Sequence, residues 1–341
     1  TSHLRRKEYD KALAAARNLQ KKQPSNPLSY QIEGLVFVGK QEPGAARKAF
    51  ERALELQPTY LPAAYALASL DLADKKPDQA KARYEKMIAK DPKNDQLYVA
   101  LAELIGRSGG SPADVTTTLQ KGAQANPAAI DARLALVRYS LQRGDAKAAV
   151  AAASEAVAAQ PNDRRALEAM AAAQEANGDL NQAVEALRKL ATVTPESPQP
   201  QMQLAALYVR QKQFDRAYEA LVAAKKLAPA NETIDRDIVA TLLAGGKPEE
   251  ALRAARQAQR ERPKSGLPLL FEGEVLESQG KLAEAEQAYR AGLKLQPTTG
   301  ALAVRLYALL QKAGKKADAE AFAKRWLTDN PKDIALRLYL A

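Results

Sequence analysis

The residue types that carry most enzymatic chemistry are scarce in this chain. It has no cysteine, which removes thiol nucleophiles, disulfides and zinc–thiolate sites together. Its one histidine, His3, stands near the start of the sequence and reads as a solvent-exposed side chain rather than a general base. No GxSxG, HExxH or calcium-loop pattern occurs. Gly245-Gly246-Lys247 runs into Pro248 and lacks the upstream glycine of a phosphate loop, so it reads as a turn. Carboxylate pairs such as Glu249 and Glu250 fall in the first turn of a helix, where negative charge complements the macrodipole. No metal, no cofactor and no enzymatic activity are expected of this set.

Charge says more about partners. The 341 residues hold 51 Lys and Arg against 40 Asp and Glu, a formal net charge of +11. Such an excess favours acidic partners in a general way; the plainer reading is a solvated surface. The densest basic cluster is Leu4-Arg5-Arg6-Lys7, and no run of five or more basic residues occurs. Nucleic acid is therefore not an expected partner. No apolar run approaches the roughly 18 residues that a membrane-spanning helix needs, so no transmembrane segment is expected.

The elements that would position any site are legible in the prolines. Pro24, Pro58, Pro92, Pro127, Pro161, Pro195, Pro229, Pro263, Pro297 and Pro331 follow one another in steps of 34 residues, with a single step of 35. The long step spans the loop at 106–111. Pro43, Pro77, Pro112 and Pro248 each lie 15 residues before one of these prolines, at the first turn of a second helix, where a missing N–H is harmless. Pro27, Pro62, Pro198, Pro200 and Pro268 mark the start of a first helix. All 19 prolines thus fall at joints, and a proline inside a helix costs about 3 kcal/mol. Twelve residues before each repeat proline stands a small residue, alanine in nine cases and Val115 in the tenth. That recurrence predicts a close crossing of two helices. Seventeen residues before it, Gly110, Gly144, Gly178, Gly246, Gly280 and Gly314 predict the turn between them, where φ is often positive. Ser111, Asp145 and Asp179 read as N-caps.

This pattern resembles the tetratricopeptide repeat (TPR) family, over essentially the whole chain. Repeat two carries Tyr30, Gly34, Phe37, Ala46, Phe50, Ala53 and Pro58 in the family's positions, and repeat nine carries Gly273, Gly280, Ala285, Tyr289 and Pro297. Ala153, Ala255 and Ala323 replace the usual aromatic, so those joints should bury less apolar area. The resemblance implies an all-α, right-handed α-solenoid of about ten 34-residue helix-turn-helix repeats, one superhelix over 1–341. It also implies that the first helix of each repeat lines a ligand groove. The matching positions hold Tyr65, Ser69, Glu103, Arg107, Leu134, Arg138, Arg165 and Glu168, then Met202, Arg210, Arg236, Glu274 and Glu277. Repeats four to eight contribute five arginines to this set and repeat nine two glutamates, a mixed groove with a basic middle. The Lys/Asn clamp that grips chaperone C-termini is absent from these positions, and so is an asparagine ladder.

Taken together, these features predict a protein-binding scaffold without catalysis. Its partners are expected to be proteins, with acidic segments favoured and an anionic polysaccharide as a second candidate. The Ala/Gln-rich texture of 48–94 is similar to bacterial TPR lipoproteins associated with exopolysaccharide export and exosortase sorting. That resemblance implies a periplasmic assembly factor, linked to the outer membrane by a lipid anchor outside this sequence. The alternatives are a cytosolic adaptor or chaperone for acidic protein segments, and the TPR region of a larger glycosyltransferase. Neither end shows a polar capping helix, so the sequence reads as a slice of a longer array.

Overall fold

The computed structural model describes residues 8–341; His3 and the basic cluster at 4–7 lie outside them. Among the described residues there are only helices, 20 of them, and no strand. They fall into two compact units, the first ending at Asp179 and the second running Leu180–Ala341. The first holds α1 (Tyr9–Lys22), α2 (Pro27–Gly39), α3 (Pro43–Leu56), α4 (Leu61–Ala73), α5 (Pro77–Lys90), α6 (Asp95–Arg107), α7 (Pro112–Ala125), α8 (Asp131–Gln142), α9 (Ala146–Ala159) and α10 (Arg164–Ala176). The second holds α11 (Leu180–Val193), α12 (Gln199–Arg210), α13 (Phe214–Leu227), α14 (Glu232–Ala244), α15 (Pro248–Glu261), α16 (Leu267–Ser278), α17 (Leu282–Leu295), α18 (Gly300–Lys312), α19 (Lys316–Asp329) and α20 (Ala335–Leu340). Even-numbered helices are the first helices of their repeats and odd-numbered helices the second. Within each unit neighbouring helices pack as antiparallel pairs joined by short links, the arrangement of an α-solenoid.

Proline and alanine act as expected. Pro43, Pro77, Pro112 and Pro248 each open a second helix. The small residue twelve before each repeat proline is buried in all ten repeats, Val115 included. Alanine there lets two helix backbones approach, and it also favours the helix intrinsically. The aromatic position gives fully buried Phe50 and Tyr289. Gly34 and Gly273 make room for those two rings. A Cβ at Gly34 would lie 2.4 Å from the Phe50 ring, and one at Gly273 would lie 2.2 Å from the Tyr289 ring. Ala323, which lacks the aromatic, is buried beside Trp326 in a cluster that takes in Phe322.

The turns inside the pairs correct one expectation. Gly144, Gly178, Gly246, Gly280 and Gly314 adopt positive φ, but in the long repeat it is Gly109, not Gly110, that does so. The chain reverses at Gly109, and the Gly110 N–H closes back on the Ile105 carbonyl at 2.8 Å. The extra residue is used after the reversal, where Ser111 caps α7 by accepting from the Asp114 N–H. Three pairs that lack a turn glycine force Gln41, Lys75 and Lys212 into the same left-handed region. In all of them the next residue's N–H returns to a carbonyl five residues back, as Glu42 does to Phe37 at 2.8 Å. This bond satisfies carbonyls that the helix end leaves open.

Buried charge ties successive pairs together. Asp71 on α4 is wholly buried and held between Arg47 of α3 and Arg83 of α5. In the second unit, buried Asp235 on α14 is ion-paired with Lys225 of α13 and with Arg262, the residue that ends α15. A carboxylate taken out of water is tolerated only when paired so closely.

Candidate binding site

In the first unit the first helices present one row of exposed positions. Leu35, Ser69, Glu103, Arg138 and Ala172 recur at the same place in α2, α4, α6, α8 and α10, and all five are exposed. The flanking turns of these helices bury Leu67, Leu97, Leu134 and Leu167. Helix periodicity therefore leaves the row facing solvent.

Two pockets open along this row. The larger, about 560 Å³, has Tyr65, Arg138, Arg165 and Glu168 on its walls. Its floor is apolar, built from Leu61, Val99, Leu134, Val137, Leu141 and Ala169. The second, about 440 Å³, is walled by Glu103, Arg107, Arg138 and Gln142 over Val99, Val115 and Leu119. The two share Val99 and Arg138, so the Arg138 guanidinium stands between them.

The polar groups on the walls are unequal. Burial pushes the Tyr65 hydroxyl up to about 12, and the Glu103 carboxylate, to which it hydrogen-bonds, adds to the effect. The Tyr65 ring meets Tyr84 edge-on at 6.1 Å, which fixes its position. Arg165 is spoken for: it bonds Asp131 at 2.7 Å, and Asp131 also accepts from Gln96 at 2.8 Å. Glu168 pairs with Arg164 at 3.3 Å. Arg107 and Arg138 form no ion pair among the described residues. They are the two cations of these pocket walls whose charge is left for a ligand.

The structure brings together Tyr65, Glu103, Arg107, Leu134, Arg138, Arg165 and Glu168. Ser69 lines neither pocket; its hydroxyl donates back to the Tyr65 carbonyl at 3.0 Å. Gln96, Val99, Asp131, Leu141 and Ala172 were not among the predicted site residues, although they occupy the same repeat positions in α6, α8 and α10 as residues that were. Leu61, Val137, Ala169, Val115 and Leu119 stand at other positions of the repeat, so reading the first-helix groove positions does not find them.

The four charged candidates of the second unit are arranged differently. Arg236 on α14 donates to its neighbour Asp237 at 2.8 Å. Glu274 on α16 accepts from Arg305 of α18 at 2.7 Å, and Glu277 from Lys312 at 3.0 Å. Arg210 is exposed at the end of α12, and Met202 is half-buried on the same helix. Arg236, Glu274 and Glu277 are thus neutralised inside the unit, the two glutamates by partners one repeat further on.

No group of His, Cys, Asp and Glu among the described residues could hold a metal ion, and no described helix is long and apolar enough to cross a membrane.

Comparison with known proteins bears on the fold. A tetratricopeptide repeat family model matches residues 1–60, 134–199 and 237–300, more than half of the chain. A second tetratricopeptide repeat model matches 37–105 and 175–236. No curated protein matches the sequence. Among solved structures, the chain is similar to pilF of Pseudomonas aeruginosa, at 18% identity and TM-score 0.40, over 62% of this chain and 96% of that one. It is similar to the Naa15/Naa10 assembly bound to HypK-THB, at 15% identity and TM-score 0.46, over 98% of this chain and 63% of that one. It is also similar to the C-terminal part of a TPR protein of Cytophaga hutchinsonii, at 14% identity and TM-score 0.46, over 69% and 96%.

Proposed function

The chain belongs to the tetratricopeptide repeat family, and on that premise we propose that it is a non-enzymatic scaffold whose first unit holds acidic, apolar-bearing segments of partner proteins. One observation carries this reading: Arg107 and Arg138 stand without carboxylate partners over the apolar floors of two adjoining pockets, which have Val99 in common. A leucine or similar side chain fits the floor, and carboxylates fit the guanidiniums. A hydrogen bond to a charged group contributes about 1.5–3 kcal/mol, so each arginine engaged is worth roughly tenfold or more in affinity.

A labelled, capped peptide alternating glutamates with leucines tests this by fluorescence anisotropy. It should bind saturably, and its lysine–leucine counterpart should not. Arg107→Glu and Arg138→Glu should each weaken binding at least tenfold. Equal binding of both peptides, or unchanged affinity in both variants, contradicts the reading. Tighter binding of an anionic polysaccharide such as alginate would replace protein segments with polymer as the ligand. The repeat texture supports a further placement, in a periplasmic assembly for exopolysaccharide export. A leader with a lipid-accepting cysteine in the full gene product is the expected result, and a full gene product without one overturns that placement.

A further inference from the structure

A second kind of groove lies between successive second helices, away from the row just described. Two such grooves, one in each unit, are in register: every residue of the first maps onto the second by a shift of 239 positions. In the first unit Glu51, Leu54 and Glu55 of α3 face Arg83, Lys86 and Lys90 of α5. That groove of about 510 Å³ has Met87 at its base. Its carboxylates and ammonium groups balance, and Arg83 is bound to Asp71.

In the second unit the same places carry different chemistry. Arg290 and Lys294 of α17 stand where Glu51 and Glu55 stood. Phe322 replaces Arg83, and Trp326 replaces Met87. The groove, about 530 Å³, therefore loses both carboxylates of one wall and gains two rings, 6.0 Å apart. On the other wall Asp329 takes the place of Lys90, and it is the one carboxylate left against Arg290, Lys294 and Arg325. Arg290 is held by Glu286 at 2.9 Å. Lys294 forms no ion pair among the described residues, and Arg325 has only a 3.6 Å contact with exposed Asp329.

We propose that the groove between α17 and α19 is a second docking site, which takes an acidic segment of a partner protein, with carboxylates on Lys294 and Arg325 and an apolar side chain against Leu293, Phe322 and Trp326. Charge complementarity sets the sign of the occupant: the two carboxylates that neutralise the equivalent groove are missing here. The rings set its class. Stacking of a nucleobase or a sugar needs an open ring face, and Trp326 is only 6% exposed, with its indole N–H donated to Asp333 at 2.7 Å. An aliphatic side chain packs against the remaining edge without such a face.

Trp326 is the single tryptophan of the chain, so its emission reports on this groove alone. The full chain carrying Arg107→Glu and Arg138→Glu, which disables the other site, is titrated with a capped peptide of four glutamates around one leucine. A saturable change in tryptophan emission is expected. Lys294→Glu with Arg325→Glu should weaken it at least tenfold; both residues are exposed, so circular dichroism and thermal midpoint should not change. The lysine version of the peptide should give no response. No saturable change, or unaltered affinity in the double variant, overturns the proposal. So does an equal response to inorganic phosphate, which would make the groove a site for any anion. Because the first-unit arginines are already reversed, failure of the α6–α8 site leaves this result unaffected.

Discussion

Alanine at Gly34 should destabilise the protein, although alanine is the better helix former. Gly34 lies inside α2, where replacing glycine by alanine ordinarily gains about 0.5–1 kcal/mol. Here the new Cβ would fall 2.4, 2.6 and 2.7 Å from three atoms of the Phe50 ring. Phe50 is wholly buried, so its ring has nowhere to move. Overpacking of this kind costs about 1–3 kcal/mol, and it must first cancel the helix gain. The expected net loss is up to about 2.5 kcal/mol, with the same sign for Gly273→Ala against Tyr289. Gly44, in the first turn of α3, is an internal control, because a Cβ there meets nothing within 4 Å. Gly44→Ala should be neutral or stabilise by up to about 1 kcal/mol. Urea denaturation followed by circular dichroism measures all three. Adding Phe50→Leu to Gly34→Ala should recover most of the loss, relative to Phe50→Leu alone. If Gly34→Ala is as stable as Gly44→Ala, close ring-to-backbone packing does not hold these pairs.

Three other perturbations have a definite sign. Lys75→Gly and Lys212→Gly should each stabilise by about 0.5–1 kcal/mol in urea titrations, because a left-handed non-glycine residue costs about 1–2 kcal/mol and glycine's extra chain entropy offsets part of that. Asp71→Asn should cost about 3–5 kcal/mol by leaving Arg47 and Arg83 without their buried partner, whereas Asp74→Asn, at the exposed end of the same cluster, should cost under about 1 kcal/mol; chemical denaturation of both variants checks the contrast. Lys225 holds the Glu261 carboxyl below its ordinary value of 4.5, and Lys315 does the same for Glu286. A depressed carboxyl contributes stability that is complete above pH 4.5 and is lost as pH falls through the lowered value. The thermal midpoint should therefore drop on acidification below 4.5, and Glu286→Gln should make that drop shallower.

Much of the helix layout is legible in the prolines and alanines. Proline is excluded from helix interiors, so Pro43, Pro77 and their equivalents mark first turns, and the buried alanines mark close crossings. The turns are less legible. Gln41, Lys75 and Lys212 take the left-handed conformation because the reversal within their helix pair demands it, and nothing in a glutamine or a lysine announces that. The shift from Gly110 to Gly109 comes from the added loop residue, which leaves two adjacent glycines equally able to reverse the chain. For the site, repeat position brings Tyr65, Glu103, Arg107 and Arg138 to the walls of two adjoining pockets. It does not tell which charges are free. Glu277 is matched by Lys312, 35 residues away, and Glu274 by Arg305. Such pairs depend on the stacking of successive first helices and on side-chain conformation, which a list of positions taken one helix at a time cannot contain.

Where a partner segment lies on the first unit can be measured by site-directed coupling. The chain has no cysteine, so Ala172→Cys places a unique thiol at the exposed wall of the larger pocket. Ala151→Cys places one on α9, also exposed but outside both pockets. A glutamate–leucine peptide bearing an activated disulfide should couple much faster to the thiol at position 172 than to the thiol at position 151. Excess unmodified peptide, or Arg138→Glu, should abolish that preference. Equal coupling at the two positions, insensitive to competitor, would contradict the assignment of the α6–α8–α10 face as the binding surface.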